Sequence, residues 1–218
     1  MKTVFITGIS RGIGKATALK FLEEEYFVIG TSIDGAVDFS DDNLKIFTLD
    51  LYSDESITKC SKAVKDFGKK IDIFINNAGV LLDEGESEVV IEKLRKTLQV
   101  NLIGAIDLAQ RLLPMINEGG HIVNISSSAG SISDVQHPDY PAYKISKAAL
   151  NMFTSWLAFK LKGTCTVSSI HPGRVITDMA SGEGDMDPTE SAVYIFDTST
   201  KTDLETGQFW FKGEKYPW

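Results

Sequence analysis

Short runs of consecutive apolar residues alternate along this chain with longer stretches whose apolar positions recur every three or four residues. Residues Thr3–Thr7 form a β-rich run that ends in glycine. Ile13, Ala16, Leu19 and then Phe21 or Leu22 follow at helical spacing, which predicts a helix over 13–25. Residues 27–31 and 45–49 are further apolar runs. Residues 53–67 predict a helix, with Ser53 as N-cap, Asp54 and Glu55 in the first turn and Gly68 as the stop. The unbroken run 71–75 has the pattern of a strand buried on both faces. Beyond it the pattern predicts a long helix over 89–116, a strand over 121–125, a helix over 142–161 and a strand over 164–170. A short helix over 188–198 and a strand over 208–211 complete the series.

This alternation implies an α/β fold: a doubly wound, mostly parallel sheet of about seven strands with helices on both faces and right-handed crossovers. The interval between Ser32 and Leu44 is barely long enough for a parallel crossover. Its acidic residues 34–43 do not read as a helix, so an irregular link is expected there. No repeat or linker divides the 218 residues, and 1–218 is taken as a single domain.

Composition narrows the function. The chain is 43% hydrophobic and 24% charged, with a net charge of −8, which argues against nucleic-acid or anionic-membrane binding through bulk charge. Cys60 and Cys165 cannot form a disulfide framework and read as small buried thiols of a reducing compartment. No apolar run approaches a membrane span, and the opening residues turn to Gly8 and Arg11 too early for a secretory leader. A cytoplasmic location is therefore expected. His121, His137 and His171 are not spaced as metal ligands, so no metal site is expected.

The candidate chemistry begins where the first strand runs into Thr7-Gly8-Ile9-Ser10-Arg11-Gly12-Ile13-Gly14 and then a helix. Glycines there allow a tight turn, close approach of a pyrophosphate and close helix–strand packing. The helix N-terminus supplies free N–H groups for the phosphate. Tyr143 and Lys147, four residues apart, share one face of a predicted helix. An ammonium beside a phenol lowers its pKa, and such a phenol exchanges protons near neutral pH. Ser126-Ser127-Ser128-Ala129-Gly130 lies at a predicted strand end, where ligands of open α/β sheets bind. Alone, a Tyr-x-x-x-Lys pair is more often a solvated helix face; the glycine turn and the serines reverse that balance.

Four motifs in order resemble the short-chain dehydrogenase/reductase family over nearly the whole chain: Thr7-Gly8-x-x-x-Gly12-Ile13-Gly14; Asn76-Asn77-Ala78-Gly79; Ser127 with Tyr143-x-x-x-Lys147; and Pro172-Gly173-x-Val175-x-Thr177. The stretches Asn124–Asp134, Ala142–Met152 and His171–Met179 are similar to the C-factor and Sniffer-type carbonyl reductases, although Arg174 stands where that branch usually has tryptophan. The resemblance implies a Rossmann-type domain. It makes Tyr143 the general acid/base, with Lys147 on the nicotinamide ribose and lowering the tyrosine's pKa. Ser127 would orient the substrate oxygen, with Ser126 and Ser128 as alternatives because the Ser127–Tyr143 interval is longer than usual. Asn101 would hold a water next to the lysine, or serve as a buried structural amide. For the cofactor it implies contacts from Gly8, Ser10, Arg11, Gly12, Ile13, Gly14, Ser32, Asp50, Leu51, Asn77, Ala78, Gly79, Pro172, Gly173, Val175 and Thr177, together with Tyr143 and Lys147. Asn76 to Gly79 would also support the sheet centre.

The implied reaction is hydride transfer between NADP(H) and a carbonyl or alcohol. Ser32 at the second strand's exit leaves room for a 2′-phosphate and Arg11 is a typical partner for one. Asp34 argues the other way, so NAD(H) stays open. A regulatory or signalling dinucleotide-binding protein with little turnover, and a pteridine-type reductase, are the alternatives. The expected partners are a small-molecule substrate and a second copy, as homodimer or homotetramer, since the family's dimers bury the helices predicted at 89–116 and 142–161. His137 and Asp139 are candidates for the substrate pocket. Family members run to roughly 250 residues; the shortfall falls at the 33–43 link and after Thr177. A short mobile acidic loop over 182–187 and an open pocket for a small carbonyl are therefore expected.

Overall fold

The computed structural model describes residues 1–135, 137–177, 179, 182 and 184–218, and in it the apolar runs form one sheet of eight strands. In chain order the elements are β1 (Thr3–Ile6), α1 (Gly12–Glu23), β2 (Phe27–Ser32), β3 (Leu44–Thr48), α2 (Asp54–Phe67), β4 (Ile71–Asn76), α3 (Ile91–Leu98), α4 (Ala105–Leu112), β5 (Ile116–Ile125), α5 (Pro141–Lys160), β6 (Thr166–Ile170), α6 (Pro188–Thr200), β7 (Gln208–Phe211) and β8 (Glu214–Lys215). The order across the sheet is β3-β2-β1-β4-β5-β6-β7-β8. Every neighbouring pair is parallel except β7 and β8. The winding reverses between β1 and β4, which places the ligand crevice beyond the C-terminal ends of those strands.

Successive strand residues point to opposite faces, and two cores result. Phe5, Ile29, Phe74, Ile122 and Val167 pack with residues of α2, α4 and α5. Val4, Ile6, Val28, Ile75 and Val123 pack with α1 and α6. The α2 caps are as expected: Ser53 accepts the Ser56 N–H, and Gly68 ends the helix at φ 80°. The 33–43 link holds no regular element; Lys15 on α1 ties it down through Asp38 at 2.7 Å, with Val37 and Phe39 against the α1 core. No helix among the described residues is long and apolar enough to cross a membrane.

Three expectations need correction. The predicted helix over 89–116 is divided: after α3 the backbone widens into a π-helical turn at Gln99–Gly104, then α4, then a 3₁₀ turn at Leu113–Met115 that contains Pro114. Gly104 there abuts the Leu51 carbonyl so closely that a Cβ would collide with it. Apolar periodicity does not register one widened turn. Second, β5 begins at Ile116 rather than His121, because Ile116 pairs with Ile71 before the register shifts past Glu118-Gly119-Gly120. Third, β8 is additional. Lys212 and Gly213 both adopt positive φ, 50° and 81°, and make a two-residue hairpin.

The glycine turn after β1 allows little variation. Gly8 and Gly12 have φ of 70° and 56°, and a Cβ on Gly14 would run into the Gly8 carbonyl and the Asn77 amide. Gly14→Ala is expected to destabilise the fold by about 1–3 kcal/mol through overpacking. The check is the urea midpoint; an unchanged midpoint would mean that the turn relaxes freely.

Candidate active site

Two strand exits brace the glycine turn. The Thr7 hydroxyl accepts the N–H groups of Asn77 and Ala78, both at 3.0 Å, while the Asn77 amide donates to the carbonyls of Thr7 and Gly8. From the other side, the Gly8 N–H donates to the Thr31 hydroxyl at 3.2 Å. Helix α1 then starts with no capping side chain and no acid in its first turn. A helix N-terminus with free N–H groups attracts phosphate, so the turn fits a dinucleotide pyrophosphate. Ser10 and Arg11 are exposed at its rim. Gly12 faces Thr177, whose Cγ2 lies 3.4 Å from where a Cβ would sit, so the first and last motifs meet. Ile13, Pro172, Gly173, Val175 and Thr177 line one cavity with Tyr143 and Ser127.

On the adenosine side the placement is more particular. Ser32 is buried, and its hydroxyl donates to Asp34 at 3.0 Å; the Ala36 N–H also donates to that carboxylate. The Ala36 bond, then the Ser32 bond, hold the Asp34 pKa below its ordinary value. The space expected beside Ser32 therefore has an ionised carboxylate at its edge. Asp50 accepts the Tyr52 N–H at 2.8 Å, and Leu51 belongs to the core beneath α4.

Tyr143 and Lys147, the candidate catalytic side chains, stand on α5. A buried polar chain fixes that helix to the sheet: Asn76 donates to Asn124, Asn124 to Thr154 on α5, and Thr154 bonds Ser169, each at 2.8 Å. Asn76 thus supports the sheet centre as expected. At Gly130 the chain passes so close to Lys147 that a side chain would meet its backbone. Lys147 is buried and donates to the Ile125 carbonyl at 2.8 Å; burial lowers its pKa to about 8. Its Nζ lies 5.5 Å from the Tyr143 ring centre.

Burial raises the Tyr143 phenol to about 12, and its hydrogen bond with Ser127 pulls the other way. The expected lowering by Lys147 is not found: desolvation disfavours the phenolate, and the ammonium is aimed at Ile125. The three serines separate clearly. Ser127 meets the phenol, Ser126 is buried with its hydroxyl 3.5 Å from the Lys147 carbonyl, and the Ser128 N–H points at His171. The long Ser127–Tyr143 interval is taken up by the loop between them. Asn101 sits in the π-helical turn, accepts the Val80 N–H at 2.7 Å and donates to the Val80 carbonyl and the Ser146 hydroxyl. Its side chain thereby ties the β4 exit loop to α5, and Gly79 lies between Asn101 and Lys147.

Two residues of this site escaped the sequence reading. Asp83 is 1% exposed, and its carboxylate accepts the Ala142 N–H in the first turn of α5 at 2.6 Å. Tyr140, just before α5, has a left-handed backbone (φ 44°, ψ 56°), an uncommon conformation for a bulky residue. Its N–H donates to the Glu86 carbonyl, its hydroxyl bonds His137 at 2.9 Å, and its ring centre lies 6.2 Å from that of Tyr143. No capping-box spacing announces Asp83, since it reaches α5 from another segment. His137 lines the cavity as expected, with Asp139 3.4 Å away. The cavity volume is about 910 Å³. Of the acidic stretch after Thr177, Glu183 lies outside the described residues, as do Asp178, Ala180 and Ser181. Its far end is not a free loop: Met186 is buried, its carbonyl accepts the Ile176 N–H, and the Asp185 N–H donates to the Arg174 carbonyl.

Comparison with known proteins agrees with this geometry. The family model described as short chain dehydrogenase matches residues 2–188. The chain is 32% identical over 202 residues to the 3-oxoacyl-(acyl-carrier-protein) reductase FabG of Vibrio cholerae, covering 89% of this chain and 82% of that protein. Among solved structures, the NADPH-bound carbonyl reductase from chicken fatty liver superposes with a TM-score of 0.89 at 26% identity, covering 100% of this chain and 99% of that one. The carbonyl reductase Sniffer of D. melanogaster gives a TM-score of 0.89 at 26% identity, with 100% of both chains covered.

Removal of the cap on α5 is the direct test of the bracing. Asp83→Ala is expected to cost about 0.5–2 kcal/mol, seen as a lower melting temperature. A melting temperature equal to that of the unaltered protein would show that Ala142 finds another acceptor.

Proposed function

The chain belongs to the short chain dehydrogenase family, and on that premise we propose that it is a cytoplasmic carbonyl reductase that transfers hydride between NADP(H) and a carbonyl or alcohol. The observation that carries this reading is the meeting of Tyr143, Ser127 and Lys147 in one cavity beside the glycine turn. The N–H groups at the start of α1 would hold the pyrophosphate, and Val175 and Thr177 the carboxamide. Bound there, a reduced nicotinamide would supply the hydride that a carbonyl carbon accepts.

The side chains manage the proton. Ser127 hydrogen-bonds the substrate oxygen and steadies the negative charge that develops on it. Tyr143 gives its proton to that oxygen. A phenol near 12 can do so because an alkoxide is the stronger base. Lys147, close by and cationic at neutral pH, then offsets the charge of the phenolate. Asn101 keeps the Val80 loop and α5 in register while this happens.

NADP(H) is the preferred cofactor, supported by the NADPH-bound neighbour and by Arg11 at the rim of the turn. One observation favours a second reading, NAD(H): the Asp34 carboxylate held at the β2 exit, where an acid pairs with a ribose and repels a 2′-phosphate. The partner is a second copy. Ile145, Met152, Trp156 and Phe159 form an exposed apolar stripe along α5, with Phe159 83% exposed, of the kind that marks interaction surfaces.

Tyr143→Phe is expected to abolish carbonyl reduction while NADPH binding, followed by its fluorescence, stays nearly intact; turnover like that of the unaltered enzyme would refute the assigned acid. Arg11→Ala should weaken NADPH by several-fold more than NADH, whereas Asp34→Ser should strengthen NADPH. Titration of both cofactors against both variants decides, and equal changes for the two cofactors would remove the assignment.

A further inference from the structure

Arg174 departs from the tryptophan usual in the related carbonyl reductases, and the reaction described above gives it no role. It is exposed and lines the same cavity as Tyr143 and Ser127. The backbone beneath it is held: the Asp185 N–H donates to the Arg174 carbonyl at 2.9 Å, and Val175 forms a β-bridge with Met186. The Arg174 side chain makes no hydrogen bond or ion pair with any described residue. Lys144, near the start of α5, lines the cavity too and is half-buried. Its Nζ lies 4.8 Å from the Tyr140 ring centre and is bonded to the His137 carbonyl and, at 3.4 Å, to the His137 Nδ1. Among the described residues no carboxylate pairs with it.

Tyr140 links the two cations. Burial and then the Asp139 carboxylate raise its phenol, while the Arg174 guanidinium pulls it back, so Arg174 is within electrostatic reach of the Tyr140 hydroxyl. The left-handed backbone of Tyr140 (φ 44°) is a strained conformation of the kind that collects at binding sites. The acids around the cavity are engaged elsewhere. Glu190 pairs with Lys212 at 3.4 Å, Asp134 accepts the Tyr216 hydroxyl at 2.9 Å, and Asp139 lies 3.4 Å from the His137 ring. Asp185 acts on His171 and Tyr194, and Glu84 has a partner of its own. Two cations without a counter-ion in a concave site attract an anion, and a guanidinium offers a carboxylate two parallel N–H donors.

We propose that Arg174 and Lys144 form a carboxylate site on the wall of the cavity beside Tyr140, so that the enzyme takes oxo acids in preference to neutral carbonyl compounds of the same length. The inference rests on the carbonyl-reductase reading above. The ring centres of Tyr140 and Tyr143 lie 6.2 Å apart. A ligand that meets both therefore carries its carbonyl and its carboxylate on separate carbons of a short chain rather than side by side. Neither cation touches the reacting carbonyl, so both act on which substrate is held.

The test measures kcat/KM with NADPH for levulinate and for methyl levulinate, which differ in the charge at one end. The unaltered protein is expected to favour levulinate by about tenfold, the worth of a charge-assisted hydrogen bond. Arg174→Gln and Lys144→Gln should each lower that ratio while leaving turnover of the ester nearly unchanged. Arg174→Lys keeps the charge and should keep more of the ratio than Arg174→Gln. The preference should also shrink as salt is added, because partly exposed charges are screened. The intrinsic reactivity of the two compounds cancels between proteins. A ratio that no variant moves, or equal losses on both compounds, would overturn the proposal. If the unaltered protein binds NADPH yet reduces neither compound nor the reactive aldehyde para-nitrobenzaldehyde, the carbonyl-reductase reading fails with it. If it reduces the aldehyde but neither levulinate nor its ester, the carboxylate site alone fails. Should a variant not fold, inhibition of aldehyde reduction in the unaltered protein is the readout. Levulinate should compete with the aldehyde far better than its ester does, and equal competition by both would sink the idea.

Discussion

An ammonium group held out of water at the end of a parallel sheet is the constraint on which the rest of this structure turns. Lys147 is 5% exposed, and an amine in that position needs a fixed acceptor. The Ile125 carbonyl supplies it, which is feasible only if α5 lies almost against the end of β5. That closeness explains why Gly130 carries no side chain, why Asn151 donates to the Gly130 carbonyl, and why a polar chain from Asn76 to Ser169 runs under the helix. Each of these contacts serves to keep one helix at one distance. Tyr143 and Ser127 meet as a result.

Much of this was legible in the sequence because the decisive groups sit at strand ends and helix starts, where composition is most restricted. The turn from Thr7 to Gly14 could be read from its glycines, and Tyr143 with Lys147 from their four-residue spacing. Helix α2 announced both of its ends through Ser53 and Gly68. What stayed hidden depends on contacts between segments far apart in the chain. Asp83 caps a helix that begins 58 residues later, at Pro141, and no local pattern reports that. The π-helical turn around Asn101 keeps the same apolar rhythm as an α-helix, so the winding change became visible only with the backbone. The pKa order of the tyrosine and lysine also needed burial, which spacing alone does not supply.

The two ends of the crevice differ in how firmly they are built. Around Tyr143 nearly every polar group is bonded to another part of the protein. At the adenosine end, the irregular link from Ile33 to Asn43 rests on a few contacts, chiefly Lys15 with Asp38 and the rings of the α1 core. An exposed ion pair of this kind contributes little stability. Asp34 belongs to this looser region, although its carboxylate is well held locally. The Tyr143 cluster and the Asp34 carboxylate therefore lie in parts of the molecule with different tolerance to substitution: the first is set by the core, the second by a surface segment.

A second copy seated on the exposed stripe of α5 would give the site a dependence on mass action. Tyr143 and Lys147 stand on the same helix as Met152, Trp156 and Phe159. A copy that covered those side chains would stabilise the folded helix by an amount that grows with the logarithm of its concentration. Dilution would then act on Tyr143 and Lys147 without touching the crevice. The amount of protein present would then be a quantity to which the spacing of Tyr143, Lys147 and Ser127 responds.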